Sequence, residues 1–189
     1  MFLETIRCVD GIAQYLDYHQ ERLERTLKHH GISDIPHLPE LLFPPEKGIY
    51  RCRFVYGESS HMIEFIPYAV RSVRSLKLIE DDTIDYRYKY ADRTALECIY
   101  GLREECDDVL IVQHGWLRDT SIANVALYIG GRWLTPNTPL LEGTTRKRLI
   151  ETGTIFPADL HVNDLKRADK IAVMNAMTGL VEVENGIIA

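Results

Sequence analysis

Leu140-Leu141-Glu142-Gly143-Thr144-Thr145-Arg146 reads as the mouth of a helix running to about Thr152, entered after the proline-rich Pro136-Asn137-Thr138-Pro139. The first turn of a helix leaves its backbone N–H groups without internal partners, and the aligned peptide dipoles put positive charge there. With two threonine hydroxyls beside it, such a mouth is a ready phosphate site. An ordinary capped helix is the other reading of the same residues. Outward from this helix lie strands: Ile122 to Ile129 and Arg132 to Thr135 before it, Lys170 to Met174 and Gly179 to Glu184 after it. Further upstream, Asp108 to Gln113 is a strand turning at His114-Gly115, a helix runs from about Asp92 to Glu105, and Leu76 to Glu80 is a strand. These elements make one α/β unit beginning near Ser75.

A smaller unit precedes it. Phe2 to Arg7 and Ile12 to Leu16 read as a hairpin about Asp10-Gly11. Tyr18, Leu23 and Leu27 then recur at helical spacing up to His30, with Gly31 as C-cap. After an irregular stretch rich in proline, Ile49 to Tyr56 and Met62 to Ile66 read as strands around Gly57-Glu58-Ser59-Ser60. The expected organisation is therefore a small N-terminal domain over 1–74, with its connection at about 67–74, and a larger C-terminal domain over 75–189.

Size and composition limit the partners. A chain of 189 residues with 46% hydrophobic and 26% charged residues buries a working core without staples. A net charge of -6 with scattered basic residues gives no footprint for nucleic acid or an anionic membrane, so small molecules are the expected partners. Glu4 and Arg7 interrupt the apolar start, which rules out a signal h-region there and points to a cytoplasmic protein. Cys8, Cys52, Cys98 and Cys106 lie far apart, as free thiols rather than metal ligands or a disulfide framework.

Several polar residues invite a chemical reading. Lys89 sits in Tyr86-Arg87-Tyr88-Lys89-Tyr90-Ala91-Asp92, where aromatic neighbours can desolvate an amine and lower its pKa, as a Schiff-base lysine requires; a snorkelling surface lysine has the same sequence appearance. Arg22, in His19-Gln20-Glu21-Arg22, is either a solvated helix residue or an inward fork for phosphate. Asp119-Thr120-Ser121 and Asn124 fit a polar turn leading into a strand. Arg51 and Arg53, two residues apart on one strand face, are candidates for a substrate carboxylate or a solvated sheet face.

The order of these pieces resembles the class IV aminotransferase family, the fold-type IV pyridoxal phosphate enzymes. The resemblance runs from Phe2-Leu3-Glu4-Thr5-Ile6-Arg7 through Asp10-Gly11, His19-Gln20-Glu21-Arg22-Leu23 and Tyr88-Lys89-Tyr90-Ala91-Asp92-Arg93. It continues in Asp108-Val109-Leu110-Ile111, Asp119 to Tyr128, Leu134-Thr135-Pro136, Leu140 to Arg146, and Ala168-Asp169 to Asn175-Ala176. It implies a two-domain D-amino acid aminotransferase-like α/β (α+β) fold, with a barrel-like C-terminal domain and pyridoxal 5'-phosphate in a cleft between the domains.

Position by position, the resemblance implies that Lys89 forms the Schiff base and shuttles protons at the substrate's α carbon. Arg22, Thr144, Thr145 and Asn175-Ala176 would hold the cofactor phosphate, and Asn124 would belong to the cofactor site. Asp119 stands where the family usually has a glutamate pairing with the pyridinium nitrogen, one methylene shorter. Glu4 falls near the catalytic lysine of some members. The chain starts almost on the Phe-x-Glu-Thr segment, so one side of the substrate pocket is expected to be trimmed or supplied by a second copy in a homodimer. Asn175-Ala176 looks more like the 4-amino-4-deoxychorismate lyases than the branched-chain or D-amino acid transaminases. A homologue that binds without catalysing is the remaining alternative.

Overall fold

The computed structural model describes residues 1–58 and 60–188. It divides into two compact units, Met1–Val70 with Tyr88–Asp92, and Arg71–Arg87 with Arg93–Ala189. Ser59, in the turn expected at Gly57 to Ser60, lies outside the described residues.

The first unit is a sheet with a helix packed on it. Strand β1 (Phe2–Val9) turns through Asp10 and Gly11, both at positive φ, into β2 (Ile12–Ala13). That is the left-handed pair a two-residue hairpin needs. The returning strand is shorter than the expected Ile12 to Leu16, because Tyr15 adopts a left-handed conformation and helix α1 (Leu16–His29) starts directly after it. A short helix, α2 (Leu38–Leu41), and strands β3 (Ile49–Tyr56) and β4 (His61–Pro67) follow, in the order β2-β1-β3-β4. Alternation along β1 sends Phe2, Glu4, Ile6 and Cys8 into the interior. There the apolar members meet Leu23 and Leu27 of α1 and Cys52, Phe54 and Tyr56 of β3. The residues 88–91 run beside the start of β1: Lys89 C=O accepts the Leu3 N–H at 2.8 Å, and Tyr90 bridges Phe2.

The second unit opens with β5 (Leu76–Glu80), lying parallel to β6 (Asp108–Gln113), with helix α3 (Thr94–Gly101) between them in sequence. The helix is shorter than the expected Asp92 to Glu105, because the chain leaves it in turns that end with Glu104 at positive φ. Strand β7 (Trp116–Thr120) had not been expected; it pairs with β6 across His114-Gly115. Next come β8 (Asn124–Ile129), β9 (Arg132–Pro136), α4 (Thr144–Glu151) and β10 (Phe156–Ala158). A 3-10 turn over Val162–Arg167 leads to β11 (Lys170–Asn175), β12 (Gly179–Glu182) and β13 (Ile187–Ile188). Among the described residues these strands form a nine-stranded sheet, cored by Leu76, Leu110, Leu117, Val125, Leu127 and Val173.

The fold is thus a mixed α/β architecture with a small N-terminal sheet and a larger second one. No helix among the described residues is long and apolar enough to cross a membrane. All four cysteines are free thiols, and only Cys98 is exposed.

Candidate active site

In the first unit, β1 and α1 bring Glu4, His19 and Arg22 together in the interior. Arg22 Nε donates to Glu4 Oε1 at 2.8 Å and Nη2 to Oε2 at 2.5 Å, a bidentate pair with the carboxylate fully buried. His19 Nδ1 lies 2.6 Å from Glu4 Oε2. Burial alone would push the Glu4 carboxyl up, but the Arg22 charge and the hydrogen bonds from His19 and Arg22 outweigh it and hold it at about 2. Burial keeps His19 below its usual range against the pull of Glu4, and the Lys89 charge pushes the same way. Lys89 is therefore within electrostatic reach of this cluster.

Lys89 itself is half-buried between two tyrosines that pack against the unit's core. Tyr88 stacks on His29 at 4.6 Å between ring centroids and meets His30 edge-on at 4.8 Å, while Tyr90 lies 5.8 Å from Phe2. With the backbone held to Leu3, the aromatic packing fixes the direction of the lysine's segment.

The same unit contains a second cationic feature. Arg7 and Arg51 are directly opposite each other on β1 and β3, and Thr5 faces Arg53. Like charges opposed on a sheet repel. Arg7 and Arg51 each have a buried Nε with no hydrogen-bond partner among the described residues, whereas Arg53 is paired with Glu64 at 2.9 Å.

In the second unit, Asp119 is buried near the end of β7, and both its oxygens are held. Asn124 Nδ2 donates to Oδ1 at 2.9 Å, and the Leu141 N–H donates to Oδ2 at 2.8 Å. Burial pushes the Asp119 carboxyl up to about 6, against these hydrogen bonds and the Arg146 charge. Leu141 stands three residues before Thr144, the first residue of α4. The helix mouth carries no side-chain cap, and Thr144, Thr145 and Arg146 are all buried. Arg146 donates to the Pro136 carbonyl at 2.8 Å and keeps a buried Nε without a partner among the described residues. Asn175 ends β11, and its Oδ1 accepts from the N–H groups of Met177 and Thr178, so this side chain builds its own turn around Ala176.

Sequence reading had not singled out His19, Arg7 or Arg146 as site residues. His19 carried one usable signal, its position three residues before Arg22 on the same helix face. Arg7 becomes visible only through strand register, and Arg146 only through its place after the threonine pair.

The model of the amino-transferase class IV family matches residues 96–185. A crystal structure from Haemophilus somnus, provisionally named a 4-amino-4-deoxychorismate lyase, is 34% identical, covers 95% of this chain and 97% of its own, and superposes with a TM-score of 0.88. The chain belongs to the amino-transferase class IV family. An uncharacterised protein of Haemophilus influenzae is 32% identical over 183 residues, 94% of this chain and 97% of the relative. At the level of fold alone, an aminotransferase from Brucella abortus, solved with pyridoxal phosphate bound, is 19% identical over 98% of this chain and 80% of its own, with a TM-score of 0.78.

The buried aspartate of this class IV chain has a consequence for stability. Between its ordinary 3.8 and about 6, Asp119 is protonated in the folded chain and ionised in the unfolded one. The folded state then binds more protons, so stability falls as pH rises through that window, by up to about 3 kcal/mol. Thermal unfolding of the cofactor-free chain from pH 4 to pH 7 is expected to show this contribution, and Asp119→Asn to lose it while the buried Asp108, also pushed up by burial, keeps its own. The same slope in both proteins would refute the assignment.

Proposed function

We propose that the chain is a pyridoxal-phosphate-dependent enzyme acting on an amino-bearing carboxylate, and that its reaction is the release of p-aminobenzoate and pyruvate from 4-amino-4-deoxychorismate. The observation that carries this reading is the fastening of a buried carboxylate, Asp119, to the residues that lead into an uncapped helix mouth. A carboxylate suits a protonated ring nitrogen, and the mouth with its two hydroxyls suits a phosphate. The donor set thus fits the cofactor from both ends. When bound, that cofactor supplies an electron sink for charge developing at the substrate's α carbon.

On this reading Lys89 holds the cofactor covalently through Nζ and moves the proton at the α carbon. Asp119 keeps the proton on the ring nitrogen, helped by the desolvated surroundings that strengthen a charge-assisted hydrogen bond. Thr144 and Thr145 bind phosphate through their N–H groups and hydroxyls, Arg22 adds charge in an orientation set by Glu4, and Asn175-Ala176 contributes backbone N–H groups. Arg51, with Arg7 opposite it, is the better partner for a substrate carboxylate, because Arg53 is already paired with Glu64. A carboxylate there relieves the repulsion between the two guanidinium groups. A homodimer in the cytoplasm goes with this reading.

Two features favour elimination over transamination: the Asn175-Ala176 pair and the provisional name of the 34% identical relative. The test is incubation of the pyridoxal-phosphate-loaded chain with aminodeoxychorismate and no keto-acid acceptor, following p-aminobenzoate by fluorescence. Release without acceptor is the expected result. Turnover only of branched-chain or D-amino acids with 2-oxoglutarate would make the chain a transaminase instead. A chain that takes up no pyridoxal phosphate would remove the enzyme reading altogether.

A further inference from the structure

We propose that Asn124 is a positioning residue that fixes the spacing between Asp119 and the mouth of α4, so that this unit takes a ring nitrogen and a phosphate at one set separation. The inference rests on the reading of Asp119 as the ring-nitrogen partner. It gives Asn124 an indirect role, exerted through its neighbours.

Asp119 and Asn124 face each other as the paired residues of β7 and β8. The Asn124 amide nitrogen lies 2.9 Å from Asp119 Oδ1 and 2.8 Å from the Leu141 carbonyl oxygen. Both partners are acceptors, which identifies the atom between them as the NH2 of the amide. Leu141 returns its own N–H to the other oxygen of Asp119 at 2.8 Å. One amide group therefore closes a ring that fastens the carboxylate to the backbone just ahead of Thr144.

Gly143 supports the same conclusion independently. It is the N-cap of α4, with φ -68 and ψ 142, a backbone conformation open to any residue. Serine, threonine, asparagine or aspartate would ordinarily stabilise a helix from this position. A Cβ on Gly143 would fall far inside contact distance of Asn124 Oδ1 and 3.2 Å from its Cγ. Glycine is needed because the Asn124 amide is lodged against the helix mouth, and the ordinary cap is forgone to admit it. The other charged groups bearing on this cluster are Arg146, which faces Asp119, and Glu142, which faces Arg146.

Asn124→Ala, Gly143→Ala and the double variant test the proposal. In the cofactor-free chain, a carbon-13 titration of the Asp119 carboxyl is expected to move to higher pH in each, since a donor to the carboxylate is lost or displaced. Pyridoxal phosphate is expected to bind about tenfold more weakly, and inorganic phosphate to change by less than about twofold, because only the longer ligand senses the spacing. The double variant should be no worse than Asn124→Ala alone. An unmoved Asp119 titration, equal losses for both ligands, or additive losses in the double variant would each overturn the proposal. A wild-type chain that takes up no pyridoxal phosphate, while Asn124→Ala still shifts Asp119, would refute the cofactor reading and support the link between the two residues.

Discussion

Lys89→Ala is expected to leave no covalent pyridoxyl group on the chain after treatment with pyridoxal phosphate and borohydride, where the wild type gains one. The reason lies in how the lysines are placed. Lys28, Lys77, Lys147 and Lys170 are each held by an ion pair with a glutamate, which directs the amine to a carboxylate partner. Lys47 and Lys166 are exposed. Lys89 is half-buried, on a segment locked by the Leu3 hydrogen bond and by Tyr88 and Tyr90 in the core. Intact-mass and peptide mapping after reduction should therefore find a single modified site. Turnover should fall by more than about a hundredfold, the least that losing a positioned proton-transfer group costs. A variant that still carries one stoichiometric pyridoxyl group elsewhere and still turns over would end the assignment. The ties of this segment to Leu3 and Met1 are made by backbone atoms of Lys89 and Ala91, which the substitution keeps.

The parts of this molecule legible in sequence are those whose signal is local. Asp10-Gly11 announces its hairpin, the Ile49 to Tyr56 strand ends where expected, and the helix mouth at Gly143-Thr144-Thr145 is where its residues place it. Strand β7 was missed because one of its inward positions is Asp119, a buried carboxylate that breaks the apolar alternation. Its burial is tolerated because Asn124 on the next strand and Leu141, distant in sequence, each bring an N–H to one of its oxygens. Arg22 was read for its affinity to phosphate, and no local pattern reveals that Glu4 from another element engages it. The pairing of Arg7 with Arg51 is likewise a matter of register between strands. What stays hidden is polar and non-local: which partner each of these residues meets across elements.

The Glu4 cluster leads to the second large effect. Glu4→Gln keeps the size of the side chain and removes its charge, taking from the buried Arg22 guanidinium the carboxylate charge it meets through two hydrogen bonds. Breaking a buried pair from one side costs about 3 to 5 kcal/mol, read as a lowered urea midpoint at pH 7. The pH dependence has a definite sign. Glu4 titrates near 4.5 when unfolded and at about 2 when folded, so between those values the unfolded chain binds more protons. Its stabilisation is present in full above about pH 4.5 and is lost as pH falls through 2, amounting to about 3 kcal/mol. Glu4 should therefore make wild-type stability climb with pH on the acid side of the window in which Asp119 makes it decline, and Glu4→Gln should make that climb shallower while keeping the decline, since Glu24, Asp81, Asp85 and Asp107 are also held low by their hydrogen bonds. Replacing both partners distinguishes a network from two separate contributions. If the cost of Glu4→Gln comes from the Arg22 guanidinium losing the Glu4 charge, Glu4→Gln with Arg22→Met is less destabilised than Glu4→Gln by itself, since the buried guanidinium is removed as well. Costs that simply add would mean that the two residues stabilise the unit independently, and the idea that Glu4 orients Arg22 would fail with them.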